Sequence, residues 1–484
     1  MSGTTKPKLL IFSHICNPVL VTGGEKVLSL FLRELVRHYE CVLVVPEIGV
    51  IAHKARAIGI RLIVMDIPLC FSLYTCSPSA FHDIDNLMRQ PAWRKLDALL
   101  AYERPDAVMV NTSVHPLPAM AAFSKGIPTA WLLMETLYDT PLRDQCAAFI
   151  ASHCDVIVGM SRTVLKPFRK TSNVRAAYVL PPYLERSELF PSVWPQARSQ
   201  LRRLYQWDED HCVVGFIAAT IYPNKGQMQF IDAMLPVASE HKLARFLIVG
   251  SQVDEGHYMA CRTKVLQAGL EDRFVFYPFA EQVHLVYPAM DIVVVPSLMT
   301  EGFGMTALEG MAFGKAVVAY SSGGLAEILN ATRNERFLVP KGDVSGLTDR
   351  VGSLAGDNAL RHSVSDRNGK TSMREFGVES FRDRLHALMG MIAAIPKNRP
   401  PVPIPPLIDI PVAQKKTKPR SASTRKRRGR KPVAGRKSAR SRRRRSLHRY
   451  SRRSAANRGR TARLRNRPSR RIRRRRSARG RVRK

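Results

Sequence analysis

The chain has 484 residues, 45% of them apolar, which is too long for one ordinary core and supports two domains. Its formal net charge of +38 is concentrated at one end: 35 of the 77 Lys and Arg lie in residues 415–484, which contain none of the 39 Asp and Glu. A uniformly basic protein is therefore excluded, and the strong charge describes a tail behind a nearly neutral folded part. The eight cysteines are scattered, with no CxxC and no paired histidine spacing, and read as buried thiols of a reducing compartment. The N-terminal stretch lacks the pattern of a signal peptide, and no run reaches about 18 uninterrupted apolar residues. These features predict a soluble, cytoplasmic protein, at most peripheral to a membrane.

In chain order, short apolar runs alternate with helical patterns. KLLIFSHI (8–15) reads as a buried strand, followed by a Gly-Gly turn and a helix over 25–39. CVLVVP (41–46), a helix over 49–59, RLIVMDI (61–67), DAVMVN (106–111), PTAWLLM (128–134) and DVIVGMS (155–161) continue the alternation. The pattern weakens over 179–199, rich in Pro and polar residues. It restarts at CVVGFIAATI (212–221), ARFLIVG (244–250), RFVFYPF (273–279), DIVVVPS (291–297) and KAVVAYS (315–321). Continuous apolar strands alternating with helices predict an α/β fold of parallel sheets covered on both faces. Two doubly wound domains are expected, 1–185 and 205–377, joined by a linker at 186–204. A closing helix is expected over 378–395, a Pro-rich spacer over 396–414 and an Arg/Lys-rich disordered tail over 415–484. Such domains bind ligands at the carboxyl ends of their strands, in the cleft between them.

The chemistry concentrates in TEGFGMTALEGMAFGKAVVAYSSGGLAE (300–327). After the strand DIVVVPS, Gly302 and Gly304 permit a tight turn into a helix that ends at Gly314, with Met305, Leu308, Met311 and Ala312 as its apolar face. The turn brings main-chain amides and a helix N-terminus to one place, which suits a phosphate. Glu309, about one turn in, would repel a phosphate and should meet neutral hydroxyls. Glu301, on the loop, would reach another part of the same ligand. Hydroxyls, then phosphates, then hydroxyls describe a nucleotide sugar. A glutamate near a helix start is by itself more often a capping or dipole partner; two framing G-F-G are harder to assign that way. Glu327 reads as a cap or brace of the helix that follows.

The pattern E-G-F-G-x-x-x-L-E-x-M-A-x-G-x-x-V-V-A-x-x-x-G-G-x-x-E resembles the donor-site signature of glycosyltransferase family 4, retaining enzymes of GT-B fold, also called group 1 glycosyl transferases. TGGEKVL (22–28) is similar to the family's N-terminal glycine loop, IYPNKGQMQFIDAM (221–234) to its lysine segment, and VPKGDVSGL (339–347) to its closing region. The resemblance covers roughly residues 8–392. It implies two Rossmann-like domains, the first on the acceptor side and the second binding a nucleotide-sugar donor whose sugar passes to a hydroxyl acceptor on a glycan, lipid or protein-linked sugar. By resemblance, Glu309 binds the donor ribose and Glu301 the transferred sugar. Backbone amides of Phe303, Gly304 and Met305, beside Gly302, receive the diphosphate, and Lys225 neutralises it as it leaves. Gly23 and Gly24 let the opposite domain approach. The front-face chemistry associated with the family makes Glu301 a positioning group, and no D-x-D stands between strand and loop in the way that holds a metal in other sugar transferases, so neither a metal nor a further cofactor is expected.

The chain departs from that pattern at two places. Thr220 stands where the family often has an arginine, and Met134 where it commonly has a histidine. His115, in the NTSVHP loop, and Glu135, at a strand end, are further candidates for the site, Glu135 for contact with acceptor or sugar. Ser161 is expected to line the cleft. The arginine tail, poor in aromatics, is expected to bind a polyanion, either nucleic acid or an anionic membrane surface, and import into a nucleus stays open. The competing functional reading is a polyanion-binding protein with an inactive transferase-like scaffold. An epimerase or phosphorylase of the same fold is disfavoured by the E-x7-E form. Donor base, sugar, acceptor and oligomeric state are left open.

Overall fold

A computed structural model of the chain describes residues 6–19, 21–397 and 400. The arginine tail and nearly all of the Pro-rich spacer expected from the sequence lie outside the described residues.

Two separate all-parallel sheets form the frame. The first contains β1 (Lys8–Phe12), β2 (Glu40–Val45), β3 (Arg61–Val64), β4 (Ala107–Asn111), β5 (Thr129–Leu133), β6 (Val156–Gly159) and β7 (Ala176–Val179), in the order β3-β2-β1-β4-β5-β6-β7. The second contains β8 (Cys212–Ile221), β9 (Ala244–Gln252), β10 (Phe274–Tyr277), β11 (Ile292–Val295), β12 (Ala316–Tyr320) and β13 (Leu338–Val339), in the order β10-β9-β8-β11-β12-β13. Every residue of β4, β5 and β12 is buried, as strands covered by helices on both faces require. In register, Leu10 stands beside Val42 on one side and Val108 on the other. The order reverses between β1 and β4 and between β8 and β11, and at each reversal the loops diverge and open a crevice at the carboxyl edge.

The edges of both sheets differ from the expectation. Only Arg61–Val64 of the predicted 61–67 run is a strand, because β3 pairs with β2 alone and stays half-exposed. β7 and β13 gave no clear apolar signal, being short edge strands. Residues 71–103 fold largely as the helices Phe71–Tyr74, Ala80–Met88 and Pro91–Glu103, which the periodicity did not resolve.

The last helix, Val378–Ala393, belongs to the first domain. Its Phe381, Leu385, Leu388 and Ile392 join the core of Leu9, Ile11 and Phe31, and the Phe381 ring lies 5.0 Å from Phe31 and 4.7 Å from Tyr183. Arg382 Nε donates to Glu34 across the same contact at 2.8 Å. The chain thus leaves the first domain near Leu184 and returns near Gly377. The two crossings run side by side, with Leu184 N donating to Phe376 O at 2.9 Å.

The linker helix Trp194–Leu204 is clamped to the second sheet by Arg202, whose side chain is fully buried. Arg202 donates to Asp291 Oδ2 at 2.5 Å and to the carbonyls of Asp208, His211 and Ala289, while Val213 N donates to the same carboxylate at 2.7 Å. This arrangement fixes where β8 and β11 begin, and with them the loops at their far ends. Removing the carboxylate leaves a buried guanidinium uncompensated, which costs about 3–5 kcal/mol. Asp291→Ala is therefore expected to lower the urea midpoint sharply, whereas Glu209→Ala, which removes an exposed partner of Arg198 that reaches Arg202 only at 3.9 Å, should barely move it.

Candidate functional site

Both crevices carry the residues singled out from the sequence. Lys225 follows β8, and the stretch from Ser297 to Met305 follows β11, so the second domain brings them together at its switch point. Lys225 Nζ donates to Glu301 Oε1 at 2.9 Å, and Ser297 Oγ donates to the same oxygen at 2.7 Å. Glu301 is thus held by two donors. Glu309 sits on the helix Met305–Ala312, with its side chain 9% exposed. Tyr287 OH donates to its Oε2 at 3.1 Å.

The glycine turn between them has the conformation its sequence demands. Gly304 has φ +113°, a backbone state reserved for glycine, and caps the helix without a side chain. A Cβ on Gly302 would stand 2.3 Å from the carbonyl oxygen of Met134, which lies on the other domain. Among the described residues, no protein acceptor takes the amides of Phe303, Gly304 and Met305. Phe303 itself turns inward, edge-on to Phe376 with ring centroids 5.6 Å apart.

Four contacts draw the first domain onto this turn. Ser161 Oγ donates to Gly302 O at 2.6 Å, placing Ser161 in the cleft as a bridge. Met134, after β5, packs against Gly302. Glu327 does not cap its own helix: it accepts from Arg162 N (2.8 Å), Thr163 N (2.7 Å) and Thr163 Oγ1 (2.6 Å), capping a short helix of the opposite domain. Lys26 Nζ donates directly to Glu309 Oε1, from a residue 283 positions earlier. The negative charge of Glu309 holds the Lys26 ammonium above its ordinary pKa.

Lys26 stands in the first turns of the helix Gly23–Leu35. Thr22 caps that helix and Glu25 returns the bond to Thr22 N at 2.9 Å, a reciprocal capping box. Glu25, fully buried, also accepts from Asn17 N at 2.7 Å and so anchors the loop after β1. A Cβ on Gly23 would meet nothing within 4 Å, and one on Gly24 only Met134 Sδ at 3.7 Å and His14 at 3.8 Å, so protein packing does not demand these glycines.

The remaining candidates lie on the floor of the first crevice. Thr112 adopts a left-handed φ of +69°, locked by Trp131 Nε1 donating to its carbonyl at 2.7 Å. That twist turns Ser113 toward Glu135, whose Oε1 accepts from Ser113 N at 2.7 Å and from Ser113 Oγ. Burial raises the Glu135 carboxyl pKa, partly offset by these donors. Among the described residues, Glu135 forms no hydrogen bond or ion pair with Glu301 or Lys225; its neighbour Met134 reaches the glycine turn. His115 is buried and edge-on to Phe12, and neither ring nitrogen has a protein partner among the described residues. Lys26, Tyr287, Ser297 and Ser113 were not anticipated. Lys26 could have been noticed inside TGGEKVL, but nothing in the sequence pairs it with Glu309. Among the described residues, no three His, Cys, Asp or Glu side chains gather as metal ligands would, and no helix is long and apolar enough to cross a membrane.

Burial lowers the pKa of His115 to about 3 and of His14 to about 4, against 6.5 for a free imidazole. Both are neutral in the fold, so below pH 6.5 the unfolded chain binds protons that the folded chain does not. Stability should fall as the pH drops from 6.5 toward 4, read as the melting temperature. His115→Phe, which cannot titrate, should lose part of that fall; an unchanged pH dependence would show that His115 does not contribute.

Comparison with known proteins gives concordant results. The family model for glycosyl transferases group 1 matches residues 211–357. The putative glycosyltransferase EpsD of Bacillus subtilis (strain 168) is 28% identical over 208 residues, 42% of this chain and 53% of that protein. The lipopolysaccharide core biosynthesis mannosyltransferase LpcC of Rhizobium leguminosarum bv. viciae is 34% identical over 149 residues, 28% of this chain and 42% of its own. The chain thus spans about half the length of the curated relatives it matches. The crystal structure of Anabaena Alr3699/HepE in complex with UDP and glucose superposes with a TM-score of 0.64 at 18% identity, covering 79% of this chain and 99% of that one. Sucrose-phosphate synthase from Thermosynechococcus elongatus gives 0.61 at 16%, covering 80% and 100%. The expected fold, two Rossmann-like domains of GT-B type, is the fold observed.

Proposed function

We propose that this chain, whose residues 211–357 match the family model for glycosyl transferases group 1, moves a sugar from a nucleoside-diphosphate donor to a hydroxyl acceptor with retention of configuration and without a metal. The observation that carries this reading is the set of free amides at Phe303, Gly304 and Met305, flanked by the Glu301–Lys225 and Glu309–Lys26 pairs. The amides and helix N-terminus receive the diphosphate. Glu309, with Tyr287 behind it, takes the ribose hydroxyls. The base extends toward a groove of about 530 Å³ at the ends of β9 and β10, lined by Gln252, Tyr258, Phe276 and Phe279 among others, where aromatic faces can stack on it.

Glu301, oriented by Lys225 and Ser297, holds hydroxyls of the transferred sugar. A carboxylate already engaged by two donors suits positioning better than covalent attack. Lys225 neutralises charge as the diphosphate departs, the role a cation must fill where no metal does so. Gly23 and Gly24 are not needed for packing, which supports a ligand approaching the first helix there. Glu135, its carboxyl pKa raised by burial and held by Ser113, is proposed to contact the acceptor or the sugar. The relatives named as glycosyltransferases support the class of reaction. The inactive-scaffold alternative requires a decayed site, and both glutamate–lysine pairs are intact.

Incubation with UDP-, GDP- and ADP-sugars should release the nucleoside diphosphate from one of them, and Glu309→Ala should abolish that release by 100-fold or more. A protein that neither turns over nor is thermally shifted by any donor in the panel would overturn the reading. The basic tail is proposed to bind polyanions through many phosphate contacts. The full chain should elute from heparin at higher salt than residues 1–400, and equal elution would remove that role.

A further inference from the structure

We propose that Lys26 is a second diphosphate-binding cation, delivered from the first domain, and that it occupies Glu309 until a donor carrying both hydroxyls and phosphates displaces it. This inference rests on the donor reading given above. It starts from a charge mismatch in that reading. Among the described residues, Lys225 is the only cation of the second domain in contact with either glutamate, and Thr220, five positions before it on β8, is neutral. Two carboxylates and a diphosphate against a single ammonium leave strong like-charge repulsion at the glycine turn.

Lys26 is placed to correct this. The capping box of Thr22 and Glu25 fixes its backbone, and Lys26 N donates to Thr22 O at 2.9 Å, so the side chain springs from a rigid helix start. Its partner is the same carboxylate assigned to the ribose, Glu309. The pair is asymmetric: the Lys26 side chain is 45% exposed and that of Glu309 only 9%. The lysine can therefore swing along the cleft while the glutamate stays.

Losing the lysine alone would strand a nearly buried carboxylate, held only by Tyr287, and that is costly. The exchange becomes favourable when hydroxyl donors arrive at Glu309 and phosphate oxygens accept the freed ammonium. A nucleoside supplies only the first and inorganic diphosphate only the second. A nucleoside diphosphate supplies both on one molecule, so Lys26 makes the site selective for that combination before any chemistry occurs. No covalent step is involved.

The test is calorimetric binding of UDP, GDP and ADP, each beside its nucleoside, to wild type, Lys26→Met, Lys26→Arg and Lys225→Met. For the diphosphate that binds wild type, Lys26→Met should weaken affinity about tenfold or more while leaving the matching nucleoside unchanged or tighter, because Glu309 is no longer occupied. Lys26→Arg should retain most of the diphosphate affinity. Equal loss for nucleoside and diphosphate would mark Lys26 as merely structural and overturn the proposal. Diphosphate binding that survives Lys26→Met but fails in Lys225→Met would overturn the Lys26 role and leave the donor site standing. A wild type that binds no nucleoside diphosphate would overturn both.

Discussion

A carboxylate that is almost buried must find a cation or hydrogen-bond donors, and Glu309 finds its cation on the other domain. That constraint organises the site. It ties the helix Gly23–Leu35 to the helix Met305–Ala312 through the Lys26–Glu309 pair, while the second domain's glycine turn lies within reach of Ser161 and Met134. Each of the two glutamates then holds one lysine, one within its own domain and one across the cleft. The charges of these four side chains are close to balanced, which lets acidic groups converge on a place where an anion is to bind.

The frame that allows this is the pair of switch points. Because β1 lies beside β4 and β8 beside β11, four connections diverge at the carboxyl edges; one leads into the helix that bears Gly23 and Lys26, and the others carry Ser113, Lys225 and Glu301. Local backbone then sets the finer direction: the left-handed Thr112 aims Ser113 at Glu135, and the left-handed Gly304 starts a helix with open amides. The last helix closes the frame by returning to the first domain, so the domains are joined by two adjacent crossings as well as by the cleft contacts.

The donor half of the site was legible because its parts are close in sequence. Glu301, Gly302, Gly304 and Glu309 lie within nine residues, and strand, turn and helix follow one another with characteristic residue types. Lys225 was legible through its lysine segment. The central strands were legible as continuous apolar runs, whereas β7 and β13 were not, since short edge strands leave little hydrophobic pattern. His115 looked like a loop candidate but is buried and neutral beneath the cleft floor, because the loop after β4 folds inward. Glu327 read as a brace for its own helix and instead caps a helix of the other domain.

The amino-acid sequence by itself determined the two-domain α/β plan, the glycine turn and the chemical character of the donor residues, because each depends on neighbours in the chain. Only the tertiary structure decided that Lys26 meets Glu309, that Ser113 holds Glu135, and that residues 378–393 complete the first domain. Those pairings join positions tens to hundreds of residues apart. Charge compensation and apolar burial select such partners in space, and neither leaves a local signature along the chain.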